Sequence, residues 1–225
     1  AYGFVSLPQG KMSSRSGVVV NADDAFEEVK NIESKEIESS IKDIKNIEET
    51  IKKVSMAAFK YGMLKIDPKK DITFNYDQIT KFEGNTGPYL LYTYARMNSI
   101  LQKSGIDIKE FFNLKSDDTQ INGLKINDLQ FEKLQFEQKE YEILRHLSKF
   151  NNIVLNSADQ YSPNVLANYL YDLCQKFNSY YGLVRILDSI NQDKNNIYKL
   201  MLVSNTSLVL KKGLELLGID VVEKM

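Results

Sequence analysis

Two tyrosines and an arginine follow one another at helical spacing after a turn-like sequence. Tyr89, Tyr92 and Arg96 are separated by three and then four residues, so on an α-helix they would share one face. Phenol rings and a guanidinium on one face could stack on unpaired bases of a nucleic acid. The same spacing is typical of tyrosines that pack in a protein core, so these residues alone leave both interpretations open.

A short polar, basic stretch near the start of the sequence is a second candidate for chemistry. Lys11, Ser13 and Ser14 lie between a predicted strand at 5–7 and a run of valines at 18–20. A loop of this composition can direct backbone N–H groups, hydroxyls and a lysine at phosphate groups. Taken alone, such a loop is more often only a connection between strands.

The helix that must position the tyrosines and the arginine has clear boundary signals. Asn85 or Thr86 can cap it, and Pro88 suits its first turn because that position needs no N–H. The helix is predicted to run to about Lys103 and to stop at Gly105. Its other face is expected in the core and carries Leu90, Tyr94 and Met97.

Apolar residues at spacings of three and four predict helices over most of the remaining chain. The predicted helices are an amphipathic one over 22–54 whose charged side faces solvent, a tightly packed one over 55–64, a long one from about 128 through 150, one from 162 to about 178, and a last one over 195–217. A brief alternation at 72–76 suggests a strand before a short helix capped by Asp77. Long helices with short connections predict an all-α protein built as a helical bundle.

Composition narrows the functional class. With 43% hydrophobic and 26% charged residues, the chain has the profile of a soluble globular protein. No apolar run approaches the ~20 residues needed to cross a bilayer, and no signal peptide is visible. A net charge of −1 argues against a protein that binds nucleic acid by bulk charge. The single cysteine, Cys174, and the single histidine, His146, are expected to be structural, and the protein is expected in the cytoplasm.

Four stretches, taken in order, resemble arginyl-tRNA synthetases, which are class I aminoacyl-tRNA synthetases. The first, GKMSSR at 10–15, is similar to the KMSKS signature loop. The second, GNTGPYL at 84–90 with Tyr92 and Arg96, is similar to the start of the anticodon-binding domain. The others are PNVLANYLYDL at 163–173, followed by FN and YY, and GLELLGI at 213–219 before the end of the chain.

The resemblance implies an enzyme that activates arginine with ATP and Mg²⁺ and transfers it to tRNA-Arg. It assigns Lys11, Ser13 and Ser14 to the loop that holds the ATP phosphates, although Ser14 and Ser16 stand where the family has lysines. Because His146 is the only histidine, the His-Ile-Gly-His signature of the class is absent. The chain is therefore expected to be a C-terminal fragment that is inactive alone and has no bound cofactor.

The resemblance also implies a division of the chain and a set of RNA contacts. It divides the chain into the end of an α/β catalytic domain at 1–20, connecting helices at 21–82, and a DALR-type anticodon-binding bundle at 83–225. The residues assigned to the anticodon loop of tRNA-Arg are Tyr89, Tyr92, Arg96, Tyr181 and Met225. Lys199 stands where the family usually has arginine.

Further expectations concern the binding partners of the protein and how firmly its first 20 residues are held. The protein is expected to be a monomer that binds neither DNA nor membranes. The segment 1–20 is expected to be poorly held, because its strand partners are missing. The alternative function is a helical interaction scaffold that does not bind tRNA.

Overall fold

The fold is known from a computed structural model that describes residues 2–8, 10–11, 20–40, 46–105, 120–121, 124–125, 136–188 and 197–225. In chain order the elements are β1 (Val5–Leu7), β2 (Gly10–Lys11), α1 (Ala22–Ser40), α2 (Ile47–Leu64), β3 (Ile72–Thr73), α3 (Tyr76–Ile79), α4 (Gly87–Lys103), β4 (Gln120–Ile121), β5 (Leu124–Lys125), α5 (Gln138–Leu147), α6 (Phe150–Asp159), α7 (Pro163–Tyr181) and α8 (Ile197–Leu216). Helices dominate these residues, so the predicted all-α class is confirmed.

A three-stranded sheet in the order β2-β1-β3 holds the beginning of the chain. β1 pairs antiparallel with β2 and parallel with β3, where Val5 lies opposite Ile72. The N–H groups of Ile72 and Phe74 donate to the carbonyls of Phe4 and Ser6, both at 2.7 Å. The expectation that this segment lacks strand partners is therefore wrong for β1, because the two residues of β3 supply one.

Two helices, α1 and α2, occupy the region predicted as one amphipathic helix over 22–54. They pack against each other, and Ile37 on α1 and Ile51 on α2 are both almost fully buried. Two paired helices bury the same apolar stripe that one long helix would bury. The spacing of apolar residues therefore could not distinguish two helices from one. The charged side of the region is not solvated throughout, since Glu33 is completely buried.

Two smaller predictions about helix boundaries can be compared with the structure. The predicted long helix through residue 150 is interrupted, because Ser148 and Lys149 form a turn between α5 and α6. The Ser148 hydroxyl donates to a carbonyl in the last turn of α5 at 2.9 Å, which helps to end that helix. Asn75, not Asp77, caps α3 and accepts from a backbone N–H at 3.2 Å. Residues 128–135 lie outside the described residues.

The main hydrophobic core lies where α2, α4, α5, α7 and α8 meet. Its large, fully buried side chains include Tyr61, Leu90, Leu91, Met97, Ile143, Leu170, Leu173, Phe177, Tyr180 and Leu200. A second, smaller cluster packs α1 and α2 against the segment 72–79. α2 thus shares a core with the bundle, and the predicted domain boundaries at residues 20 and 82 stay a prediction.

Cys174 and His146 occupy positions that suit the structural roles predicted for them. Cys174 is buried, and burial raises the pKa of its thiol. The His146 ring stacks on Tyr169 with ring centroids 4.3 Å apart, and burial lowers the pKa of its imidazole. Within the described ranges, no group of three His, Cys, Asp or Glu side chains could hold a metal ion. None of the helices described has both the length and the apolar character that crossing a membrane requires.

Candidate nucleic-acid interface

The first turn of α4 is built by the short sequence that precedes it. Thr86 is its N-cap, because its Oγ1 accepts a hydrogen bond from the N–H of Tyr89 at 3.3 Å. Gly84 has a φ of 73°, a conformation that favours glycine. Gly87 lies directly against the backbone of α2, where a methyl group would collide with the carbonyl of Ala57. The turn therefore fixes where α4 begins and how closely it approaches α2.

Asn85 is a structural link between three helices rather than a helix cap. Its Oδ1 accepts from the hydroxyl of Tyr61 at 2.6 Å, and its backbone carbonyl accepts from Nζ of Lys65 at 2.7 Å. Its Nδ2 donates to Oδ1 of Asn168 on α7 at 3.2 Å. These bonds hold the start of α4 between α2 and α7.

An aromatic and cationic surface lies where α4 faces the end of α7. We call Tyr89, Tyr92, Arg96, Asn178 and Tyr181 the Tyr–Arg cluster. The guanidinium carbon of Arg96 lies 4.7 Å from the ring centroid of Tyr92 and 5.3 Å from that of Tyr181. Both tyrosines are 39% exposed. A cation held beside two exposed rings offers stacking surface and N–H donors at one place.

Asn178 is the member of the cluster that was not predicted as a site residue. Its Oδ1 accepts from Nη1 of Arg96 at 3.0 Å. Its Nδ2 donates to the hydroxyls of Tyr89 and Thr93, both at 2.9 Å. Asn178 lies three residues before Tyr181 on α7, so the i, i+3 spacing was the signal that could have identified it.

Tyr89 combines packing with exposure. Its ring meets that of Tyr171 edge-on, with centroids 5.8 Å apart, and it contacts the main core. Burial raises the pKa of the Tyr89 phenol, while the hydrogen bond from Asn178 acts in the opposite direction. The predicted division of α4 into two faces is confirmed, since Leu90, Tyr94 and Met97 are buried.

Met225 is held separately from the cluster in the contacts that the structure describes. It is partly buried against the main core, and the tail before it is tied by Nδ2 of Asn98, which donates to the carbonyl of Glu223 at 3.0 Å. At about 100° per residue, Asn98 lies on the side of α4 opposite Tyr89. The role predicted for Met225 therefore stays a prediction.

The phosphate-binding loop predicted from the sequence is only partly within the described residues. The backbone of Lys11 lies in β2, opposite Ser6 of β1. Ser13 and Ser14 lie outside the described residues. Their predicted contact with ATP phosphates stays a prediction.

Lys199 has a structural partner inside the bundle. Its Nζ lies 3.9 Å from Oε1 of Glu140, and both residues are buried. The hydroxyls of Tyr180 and Tyr198 also donate to this carboxylate, at 3.0 and 3.2 Å. Burial and the Glu140 charge raise the pKa of Tyr198 to about 12. This network joins α5, α7 and α8 through Tyr180, the residue before Tyr181 in the sequence.

The class of protein follows from a comparison with known families. Residues 90–225, which contain most of α4, all of α5 to α8 and every member of the Tyr–Arg cluster except Tyr89, match the DALR anticodon binding domain. The match covers more than half of the 225 residues, and the chain belongs to this family.

The individual relatives are arginine–tRNA ligases. The arginine–tRNA ligase of Flavobacterium psychrophilum is 36% identical over 231 residues, which cover 100% of this chain and 35% of the relative. The solved arginyl-tRNA synthetase of Thermus thermophilus has a TM-score of 0.81 at 30% identity, and that of Plasmodium falciparum has 0.72 at 25%. Each of these structures matches 100% of this chain over 35% of its own length. The resemblance predicted from the motifs is confirmed, and the chain spans about a third of these relatives.

Proposed function

We propose that this chain is the anticodon-binding part of an arginine–tRNA ligase. In this proposal Tyr92, Arg96 and Tyr181 contact splayed bases of the anticodon loop of tRNA-Arg, Tyr89 contributes from the same cluster, and Met225 makes a separate contact from the last residues of the chain. The observation that carries it is the exposed Tyr–Arg cluster in a chain of the anticodon-binding family. Unstacked bases of RNA loops are bound by stacking on tyrosine and arginine.

The whole ligase would activate arginine with ATP and Mg²⁺ and transfer it to tRNA-Arg in the cytoplasm, as a monomer. We propose that Lys11, Ser13 and Ser14 contact the ATP phosphates there. Cations and N–H groups oppose the charge that develops on phosphates as they depart. Lys11→Ala in the whole ligase tests this role, with a lowered rate of pyrophosphate exchange as the expected result.

Truncating either exposed tyrosine should weaken tRNA binding. Tyr92→Ala and Tyr181→Ala are each expected to cost ~1–3 kcal/mol of binding free energy if the ring stacks on a base. Filter binding of a tRNA-Arg transcript to the purified chain measures the loss. Tyr141→Ala is the matched control, because Tyr141 is 51% exposed and has Arg145 over its ring at 5.1 Å, but it lies on α5 outside the cluster.

The specificity of binding separates this function from the alternative. The chain should prefer tRNA-Arg over the same tRNA with an exchanged anticodon. Equal affinity for both would count against anticodon recognition. A helical scaffold without tRNA binding is disfavoured by the family match, and it would show no affinity for either RNA.

A further inference from the structure

Asn178 uses its carbonyl and both of its amide hydrogens within the Tyr–Arg cluster. The carbonyl accepts from Arg96, and the amide donates to the hydroxyls of Tyr89 and Thr93. A guanidinium has donors only, so the carbonyl must face Arg96 and the amide must face the two hydroxyls. The side chain therefore has a single orientation in which all three hydrogen bonds form.

That orientation determines where the hydroxyl protons point. The Thr93 hydroxyl donates to the carbonyl of Tyr89 at 2.9 Å, so its proton is used inside the helix. The Tyr89 oxygen accepts from Asn178, and the Tyr92 oxygen accepts from Nη2 of Arg96 at 3.0 Å. Among the described residues, neither phenol proton has an acceptor. Both protons are thus available to a bound partner.

The arginine adds donors of the same kind. A guanidinium has five N–H groups, and the hydrogen bonds to Asn178 and Tyr92 use two of them. The partners that Arg96 contacts in the described part of the chain are neutral, so its charge is not cancelled there. Burial raises the pKa of Tyr89, which keeps that phenol protonated and able to donate.

We propose that Asn178 is a positioning residue that makes Tyr89, Tyr92 and Arg96 of the Tyr–Arg cluster a donor-only surface, which binds acceptor oxygens of the RNA. This inference rests on the proposed function and names the chemistry of its ligand. The acceptor is an oxygen of a backbone phosphate or a carbonyl of a base. Groups that only donate, such as exocyclic amines, are not bound by Tyr89, Tyr92 and Arg96, because the two phenol oxygens already accept hydrogen bonds and the guanidinium has no acceptor.

Asn178→Asp tests the inference because it replaces the amide by an acceptor of the same shape. The carboxylate would pair with Arg96 and accept the protons of Tyr89 and Thr93, so the surface loses a donor and part of its charge. Affinity of the full chain for tRNA-Arg should fall about tenfold or more, as expected for a lost hydrogen bond to a charged group. The Tm should stay unchanged or rise, whereas a merely structural role predicts a lower Tm.

Asn152→Asp is the control for net charge, because Asn152 is exposed on α6 and the charge change is identical. Its affinity for tRNA-Arg should match that of the unmodified chain. Equal affinity of Asn178→Asp and the unmodified chain would overturn the inference. If Tyr92→Ala still lowers affinity in that case, the proposed function stands without it. If the unmodified chain shows no preference for the arginine anticodon, the proposed function fails instead.

Modified RNAs distinguish the two sources of the acceptor oxygen. Each RNA in one set of synthetic anticodon stem-loops carries a single methylphosphonate linkage next to a deoxyribose. Its reference RNA carries the same deoxyribose with an unmodified phosphate. The other set carries a single thio-substituted base, whose sulfur is a weak acceptor. The modification that weakens binding to the unmodified chain but not to Asn178→Asp identifies the oxygen. If no modification shows this difference, the donor-only surface is overturned.

Discussion

Replacing Gly87 with alanine should lower the free energy of unfolding by about 3 kcal/mol, the upper range for an overpacked contact. The added Cβ would collide with the carbonyl group of Ala57 and lie 2.8 Å from the backbone nitrogen of Ala58. Both neighbours are backbone atoms of α2, so a side-chain rotation cannot relieve the contact. The two helices must separate, which also strains the hydrogen bonds of Asn85. Urea denaturation of the full chain measures the change.

Gly182→Ala is the matched control for the loss of a glycine. Gly182 has the right-handed helical φ of −66°, and an added Cβ would find its nearest neighbour at an ordinary 3.5 Å. This substitution should be neutral or stabilise the protein by up to about 1 kcal/mol. Equal effects of the two substitutions would show that the close approach of α4 to α2 does not determine stability.

The start of α4 also shows which parts of the fold the sequence could predict. Its boundaries depend on local signals, namely Thr86, Pro88 and Gly105, and these were predicted correctly. The contact of Gly87 with Ala57 depends on how two helices pack, and nothing local to either residue specifies it. The break between α1 and α2 within 22–54 was not predicted for the same reason. Two paired helices and one long helix show the same spacing of apolar residues in the sequence.

The candidate site divides in the same way. Periodicity placed Tyr89, Tyr92 and Arg96 on one face, and the structure has them there. Whether those rings pack or face solvent depends on α7, because Arg96 on α4 contacts Asn178 on α7. These two residues are more than 80 positions apart in the sequence. Tyr89 does both, and Tyr92 is exposed. The contribution of Asn178 could be predicted only by pairing α4 with α7.

Glu33→Met should stabilise the protein, and more so at pH 8 than at pH 5. Glu33 is fully buried, and neither of its carboxylate oxygens has a hydrogen-bond partner among the described residues. Burial, with a smaller contribution from the neighbouring Glu36 carboxylate, raises the pKa of Glu33 from 4.5 to about 8. Methionine is neutral and flexible enough to fill a similar volume.

The sign of the pH dependence follows from the two pKa values. Between pH 4.5 and about 8 the folded state keeps the Glu33 proton that the unfolded chain has released. The free energy of unfolding therefore falls as pH rises through this window, by up to about 1.4 kcal/mol per pH unit from this group. Over the whole window the loss amounts to about 5 kcal/mol at most. Below pH 4.5 both states hold the proton, and this contribution to stability is fully present.

Urea denaturation of the unmodified chain and of Glu33→Met at pH 5 and pH 8 measures the effect as a difference between the two proteins. Other carboxylates titrate similarly in both, so the difference isolates Glu33. Glu38→Met is the control, because Glu38 is exposed on the same helix and its loss should leave the slope with pH unchanged. If Glu33→Met has the slope of the unmodified chain, the Glu33 carboxyl has the same pKa in the folded and unfolded states, and the predicted retention of its proton is wrong. If the free energy of unfolding falls less from pH 5 to pH 8 in Glu33→Met than in the unmodified chain, the buried carboxyl keeps its proton at neutral pH while α1 is packed on α2.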